Sequence, residues 1–258
     1  MIQVSFSGGR SSAMMAKIML ENPDVFPRDE LLFTFANTGK EMPQTLDFVN
    51  ECDKRWQLGM VWVEYCPVEK FKVVTYETAS RNGEPFEAIT ERKNNRYLPN
   101  RVQRFCTTDL KVKPMAKYIR SLGIDYWDAA IGIRYDEPNR YHKMKNAKRK
   151  DRWEYIFPLW DFRINKKEVA AFWQNQGFDL MMPSEHGNCD FCFMKGLRKK
   201  VAQARLMPER LQWWIDMEAK AGSRFHADYK MSDILALSRN PQLFDGFDEP
   251  DISCFCGD

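Results

Sequence analysis

Along the first half of the chain, short apolar runs that end in turn residues alternate with stretches whose apolar residues recur every three or four positions. Ile2 to Phe6 reads as a strand. From Ser11 onward Ala13, Met14, Ile18 and Met19 fall on one face of a helix. "ELLFTFANTG" (Glu30 to Gly39) is an apolar run closed by turn residues, the pattern of a buried parallel strand. "MPQTLDFVNECDKRW" has helical spacing in Leu46, Val49 and Trp56, and "MVWVEY" is the next strand. This order predicts an α/β chain with a doubly wound, mostly parallel sheet, whose ligands sit at the carboxyl ends of the strands.

Beyond that point the pattern loosens. Thr78 to Thr108 is polar and reads as loop or irregular helix, carrying Arg81, Arg92, Lys93, Arg96, Arg101 and Arg104. "KVKPMAKYIRSLG" predicts a helix and "DYWDAAIGI" a strand. The charged stretch "RYDEPNRYHKMKNAKRKDR" reads as a solvated, mobile excursion, and "YIFPLWDFRINKKEVAAFWQNQG" as a turn and an amphipathic helix. After Met182 come a cysteine-bearing loop, an aromatic helix around Trp213 and Trp214, and a polar tail ending "SCFCGD". The chain therefore divides into a sheet domain, residues 1–180, and a small helical cysteine-containing extension, residues 181–258. Trp213 and Trp214 are read as packing their helix on the sheet, with base stacking as the alternative.

Composition changes this picture little. A chain of 258 residues, 44% hydrophobic and 29% charged, can bury a large core. The net charge of +3 is too small to argue for nucleic acid by itself. No apolar run approaches the roughly 20 residues of a membrane span. A strand starting at Ile2 leaves no room for a targeting peptide, so the expected location is the cytoplasm and no membrane partner is expected. The basic run from His142 to Arg152 reads as a solvated loop, with a grip on RNA or on a 3′-phosphate as the alternative.

The candidate chemistry begins at "VSFSGGRSSAMMAKIML". Gly8 and Gly9 allow positive φ and close backbone approach between a strand and a helix, so amides at the helix start can face an anion. Ser7, Ser11 and Ser12 add hydroxyls, though serines also cap ordinary helices. "SGGRSS" and "ANTGKE" both fall at carboxyl ends of predicted strands, which favours a phosphate site.

With these pieces in place the chain resembles the superfamily that joins phosphoadenosine phosphosulfate (PAPS) reductases to PP-loop ATP pyrophosphatases. "SFSGGRSS" is similar to the S-G-G-x-x-S PP-loop, with Arg10 where many relatives have Lys and Ser11 where pyrophosphatases usually have Asp. "FANTGKEMPQT" resembles D-T-G-x-x-x-P-x-T with Asn37 in place of the acid. "RFCTTDLKVKPM" resembles C-C-x-x-x-K-x-x-P, keeping Cys106 but with Thr107 at the second cysteine. "GIRYDEPNR" and "FPLWDFRINKKEVAAF" are similar to the G-x-R-x-x-E and P-L-x-D-W segments. The resemblance covers roughly residues 2 to 195.

The resemblance implies a bound adenine nucleotide, ATP or PAPS-like, with its phosphates over Ser7, Gly8, Gly9, Arg10, Ser11 and Ser12. It extends the binding set to Asn37, Thr38, Gly39, Gly132, Arg134 and Glu137. Lys111, Arg134 and Arg140 become candidate phosphate or sulfate ligands, against plain surface cations. Glu137 is expected to orient Arg134 or to hold Mg²⁺, with a surface ion pair equally open.

Seven cysteines stand at 52, 66, 106, 189, 192, 254 and 256. An odd count with C-x-x-C and C-x-C pairs argues for metal or redox work more than for disulfides. Cys52 and Cys66 are expected to be small core residues. The resemblance implies Cys106, Cys189 and Cys192 as ligands of a 4Fe-4S cluster, with Cys254 or Cys256 as a fourth ligand or a substrate or sulfide on the open iron; a zinc site is the competitor, since soft thiolates bind both. His186 and His226 are not expected to be metal ligands. Two activities follow from the resemblance: ATP-dependent sulfur transfer, or reduction of a sulfonucleotide with Cys254 or Cys256 as nucleophile. A non-catalytic nucleotide- or nucleic-acid-binding protein with structural zinc is the rival. The sulfur acceptor, an RNA or a small molecule, and the oligomeric state, with a homodimer allowed, stay open.

Overall fold

Leu31–Asn37 is buried at all but one of its seven positions, and such a run needs cover on both sides and a neighbour on each edge. The computed structural model, which describes residues 1–92, 97–147, 151–183 and 186–240, supplies both. In chain order it contains β1 (Ile2–Phe6), α1 (Arg10–Glu21), β2 (Leu31–Asn37), α2 (Pro43–Trp56), β3 (Val61–Glu64), β4 (Lys72–Val74) and α3 (Glu84–Arg92). A π-helical turn, Cys106–Val112, then runs into α4 (Lys113–Ser121), followed by β5 (Trp127–Ala130), α5 (Pro138–Lys145) and β6 (Trp153–Ile156). Next come α6 (Pro158–Asp161), α7 (Lys166–Gln174), α8 (Leu197–Leu206), α9 (Pro208–Ala221) and α10 (Met231–Arg239).

The described strands form one sheet in the order β4-β3-β2-β1-β5-β6, parallel except for the edge strand β4. β1 pairs with β2 on one side (Ile2↔Leu31) and with β5 on the other (Ile2↔Asp128). The chain thus winds outward in one direction through β3 and restarts beside β1 with β5, making a switch point between the loops after β1 and β5.

Alternation along the strands sets the two faces. Phe33 and Phe35 join Val4 and Phe6 in the larger core beneath α1, α2 and α7, where Met15, Val49 and Trp173 pack. Thr34 and Ala36 point to α4, whose Met115 reaches both. Under α4 a buried polar chain crosses three strands: Trp127 Nε1 donates to Gln3 Oε1 (3.1 Å), and Gln3 Nε2 donates to Thr34 Oγ1 (3.0 Å). Each polar atom in that chain is satisfied inside the core, as burial requires.

A second hydrophobic cluster holds the C-terminal helices. Phe191, Phe193, Trp214 and Phe225 pack there with Tyr65, Phe86 and Leu110, so residues beyond 180 share a core with the region around α3. The aromatic helix accordingly packs against α3, with Phe86 between Trp213 and Trp214, and the expected packing on the sheet is corrected.

Other expectations need adjustment. The excursion after Arg134 is no mobile loop where it is described: α5 buries Tyr141 and Met144, and Tyr141 stacks on Trp160 at 3.9 Å. Two apolar residues on one helical face anchored it, and the surrounding charge hid them. Lys148, Arg149 and Lys150 lie outside the described residues, as do Lys93 and Arg96. The short strands β4 and β6 left no sequence signal because edge strands of three and four residues hold no long apolar run. Cys52 is fully buried, and burial pushes its thiol pKa up. Cys66 is only half-buried, with its thiol 3.0 Å from Phe71 O and 3.2 Å from Glu69 Oε2, so it is not a core residue.

Phe35 meets Trp62 edge-on at 4.8 Å in the larger core. Phe35→Ala is expected to lower unfolding stability by about 3–5 kcal/mol in urea denaturation, whereas Val102→Ala, at a position 91% exposed, leaves it unchanged.

Candidate functional site

Three loops converge at the carboxyl edge of the sheet. The first follows β1. Gly8 has φ +87°, and a Cβ there would stand 2.5 Å from Thr45 Cγ2, so only glycine fits. The turn is held from within, because Ser12 Oγ donates to Gly9 O (2.9 Å) and accepts from Ser7 N (3.1 Å) and Ser7 Oγ (2.9 Å). α1 begins at Arg10 behind Gly9, which offers no side-chain cap. The first amides of a helix lack intrahelical acceptors and carry the positive end of its dipole. This is the geometry that takes an anion.

The second loop follows β5 across the switch point. A Cβ at Gly132 would lie 3.3 Å from Ser12 Cα, so this residue lets the two loops touch. Arg134, buried, donates through Nη1 to Ser11 Oγ (3.2 Å) and through Nε to Asp136 Oδ1 (3.0 Å). Glu137 accepts the Arg134 backbone N–H with Oε2 (3.0 Å) and Arg140 Nη1 with Oε1 (2.9 Å). Glu137 therefore orients the Arg134 turn, which favours one of the roles considered for it. The structure brings Ser7 to Ser12, Gly132, Arg134 and Glu137 together.

The third loop follows β2. Asn37 is fully buried and spends its amide on Glu64 Oε1 (2.6 Å) and Ser80 O (2.8 Å). Its Oδ1 accepts Gly39 N (3.0 Å). Gly39 has φ +78° and would clash with Pro85 Cδ at 2.9 Å if it bore a Cβ. Asn37, Thr38 and Gly39 thus shape the loop from inside. Glu41 accepts from Thr38 N (2.8 Å) and Thr38 Oγ1 (2.9 Å), pairs with Lys111 Nζ (3.3 Å), and lies 3.6 Å from Cys189 Sγ.

The cysteine loop is stitched onto these strand-end loops. Glu41 and Cys189 form an isolated antiparallel bridge, Met42 N donates to Asn188 O (2.7 Å), and Asp190 N donates to Lys40 O (2.9 Å). Asn188 Nδ2 donates to Ser7 O (2.7 Å), which ties the same segment to the first loop. Beneath the bridge Asp190 is fully buried, 2.6 Å from Arg210 Nε and 3.4 Å from Lys40 Nζ, and it accepts Trp214 Nε1 (2.8 Å). Burial pushes the Asp190 carboxyl pKa up and the Lys40 ammonium pKa down, against the mutual attraction of the opposite charges. Lys40 also sits over the Trp213 ring at 4.6 Å.

Some predicted residues serve elsewhere. Arg10 is turned back onto Asp179, with Nε to Oδ1 at 2.7 Å and Nη2 to Oδ2 at 2.9 Å, and it also donates to Leu180 O (2.6 Å). It fastens the approach to the cysteine loop against α1. Cys106, Cys189 and Cys192 are each half-buried. Cys106 opens the π-helical turn that carries Lys111, and Lys111 and Cys189 both meet Glu41, so the two thiol-bearing segments adjoin. Among the described residues no three His, Cys, Asp or Glu side chains are arranged to hold a metal ion. Cys254 and Cys256 lie outside the described residues. Sequence reasoning missed Glu41, Asn188 and Asp190; the first lies inside "ANTGKE" and the others flank Cys189, and proximity to those motifs was the only signal they offered.

Two substitutions test this arrangement. Gly8→Ala is expected to destabilise the fold measurably in thermal denaturation, since it adds a Cβ clash to a left-handed backbone. Asp190→Ala leaves Lys40 buried without its carboxylate, and denaturant titration is expected to show a loss of about 3–5 kcal/mol.

Residues 1–181 match the family model described as the phosphoadenosine phosphosulfate reductase domain. An uncharacterized nin region protein of Escherichia phage lambda is 32% identical over 206 residues, covering 76% of this chain and 67% of that protein. An uncharacterized protein of Methanocaldococcus jannaschii is 26% identical over 226 residues, covering 86% of this chain but only 48% of its own length. Among solved structures, a crystal structure of PAPS reductase from Candida auris in a phosphate complex aligns at a TM-score of 0.42 and 16% identity, covering 67% of this chain and 71% of that one. That structural likeness is too loose to add to the match over residues 1–181, and it is this match that shows the chain to belong to the phosphoadenosine phosphosulfate reductase domain family.

Proposed function

We propose that the chain is an enzyme that binds an adenylyl nucleotide, ATP or a PAPS-like molecule, and couples it to sulfur transfer beside the cysteine loop. The observation that carries this reading is the direct bonding of the Cys189 segment to the β1 loop through Asn188 and Ser7, which sets a thiol-bearing segment against an anion-type helix start. The nucleotide phosphates lie over the Ser7 to Ser12 turn. Amides at the start of α1 stabilise charge as it shifts between phosphoryl oxygens. Arg134, held by Asp136 and Glu137, presents a fixed guanidinium beside Ser11. Lys111 and Glu41 form the polar border towards the cysteines.

In the sulfur-transfer form an acceptor oxygen attacks the α-phosphorus of ATP, pyrophosphate leaves, and a sulfur nucleophile then displaces AMP from the activated acceptor. In the reductase form a thiolate, Cys254 or Cys256, attacks the sulfur of PAPS, the sulfur–oxygen bond to the nucleotide breaks, and an external thiol releases sulfite. The S-G-G-x-x-S turn favours the first form and the terminal cysteines the second.

Cys106, Cys189 and Cys192 are the thiolates proposed to hold a 4Fe-4S cluster, with zinc as the other soft metal such ligands take. Among the described residues these thiols do not converge into a metal-holding group by themselves. A cluster would supply a sulfur-carrying or electron-carrying centre at the edge of the site.

Incubation with ATP and Mg²⁺, with water taking the place of the acceptor oxygen, is expected to release AMP and pyrophosphate, and Arg134→Ala is expected to lower that rate by roughly 10²-fold. Sulfite from PAPS without AMP from ATP assigns the reductase form instead. Protein purified anaerobically is expected to be brown and to contain iron. A Cys106→Ala variant that keeps its full metal content would remove Cys106 from the ligand set.

A further inference from the structure

A groove of about 480 Å³ runs along α4 on the sheet face opposite α1. It starts at Tyr65, just after β3 at the carboxyl edge of the sheet, and ends at Trp127 and Trp153, at the amino ends of β5 and β6. Asp109, Lys113, Ala116, Lys117 and Arg120 line one side. These positions recur at helical spacing, so the wall is one face of α4 and the π-helical turn before it, about 17 Å long at 1.5 Å per residue.

The charge of this groove is one-sided. Among the described residues that line it, Lys70, Arg92, Lys113, Lys117, Arg120 and Arg152 face only Asp109 and Asp151. Lys113 is paired with Asp109 (2.6 Å) and Arg152 with Asp125 (2.7 Å). Among the described residues no carboxylate pairs with Arg92, Lys117 or Arg120, all of which are exposed. A second observation is independent of charge. Tyr65 is 3% exposed, and its hydroxyl has no hydrogen-bond partner among the described residues. A phenol buried without a partner at the end of a cationic groove becomes a donor to a bound phosphate once its thin cover shifts to admit the strand.

We infer that this groove binds a single-stranded nucleic acid. Cations about one helical turn (5.4 Å) apart suit a chain of phosphates better than a single phosphate group. Half-buried Trp153 at its far end, stacked on Trp127 on one side, offers its remaining aromatic surface to an unpaired base, which a duplex does not present. The near end opens beside Asp109, two residues from Lys111, which faces Glu41 in the site above. A strand in the groove is thereby led from the amino side of the sheet to the catalytic edge. The inference rests on the sulfur-transfer reading only for this direction, in which the strand is the sulfur acceptor.

Short fluorescein-labelled oligo(U) and oligo(dT), and a duplex of the same length, titrated with the full chain in fluorescence anisotropy at several salt concentrations, test this. Both single strands are expected to bind, and the tighter of the two identifies the sugar. The Lys117→Glu/Arg120→Glu double variant is expected to bind about tenfold more weakly, with the slope of log K against log salt reduced by about 1.4. Tyr65→Phe is expected to weaken binding without lowering thermal stability, because the hydroxyl it removes has no partner. Unchanged affinity and slope in the double variant would overturn the inference. So would an equal loss in Lys166→Glu/Lys167→Glu on α7, or tighter binding of the duplex. None of these readouts requires nucleotide turnover, so their failure leaves the AMP and pyrophosphate assay standing, and the reverse holds as well.

Discussion

The site depends on a seam three residues long, where the backbone of Asn188 to Asp190 pairs with that of Lys40 to Met42. Nothing in the sheet requires this contact. It is held by Asp190, buried between Lys40 and Arg210, and by Asn188 reaching Ser7. A buried carboxylate with two cations and an indole N–H stabilises only when all partners stay in place, since losing one leaves an uncompensated charge in a low dielectric. The seam therefore behaves as a latch with one closed geometry. It makes the C-terminal extension part of the site.

The phosphate-type loop follows from close approach. Gly8 allows the chain to turn under Thr45, and Gly132 lets the β5 loop lie against Ser12. The serine hydroxyls inside the turn then satisfy one another and the backbone. What remains directed outward is the start of α1, with Arg134 at its side. Arg10, the cation nearest to that start in sequence, is withdrawn by Asp179. Positive charge at the loop is therefore supplied by the dipole and Arg134, on a rigid frame.

Two hydrophobic cores divide the labour. The larger core fixes the strands and so the positions of the loops at their ends, while the second joins α3 to α8, α9 and α10 and carries the cysteine loop on Phe191 and Phe193. Along α4, on the sheet face opposite the larger core, lies the cationic groove. Its charges come from segments far apart in sequence, which explains a near-neutral chain with a strongly basic local surface.

The central strands, the helices between them and the glycine turn after β1 were legible in the chain itself, because apolar period and glycine placement are local properties that burial on two faces makes strict. The five ordered motif segments pointed to the same family that the match over residues 1–181 shows. The edge strands β4 and β6 and the anchored helix α5 were not legible, being short or wrapped in charge. Nor were the roles of Arg10 and Asn37, whose side chains are absorbed by Asp179 and Glu64, partners that only folding brings near. Glu41, Asp190 and the groove along α4 belong wholly to tertiary structure. Pairing between charges separated by many residues has no sequence period, and only the packed chain decides which of them meet.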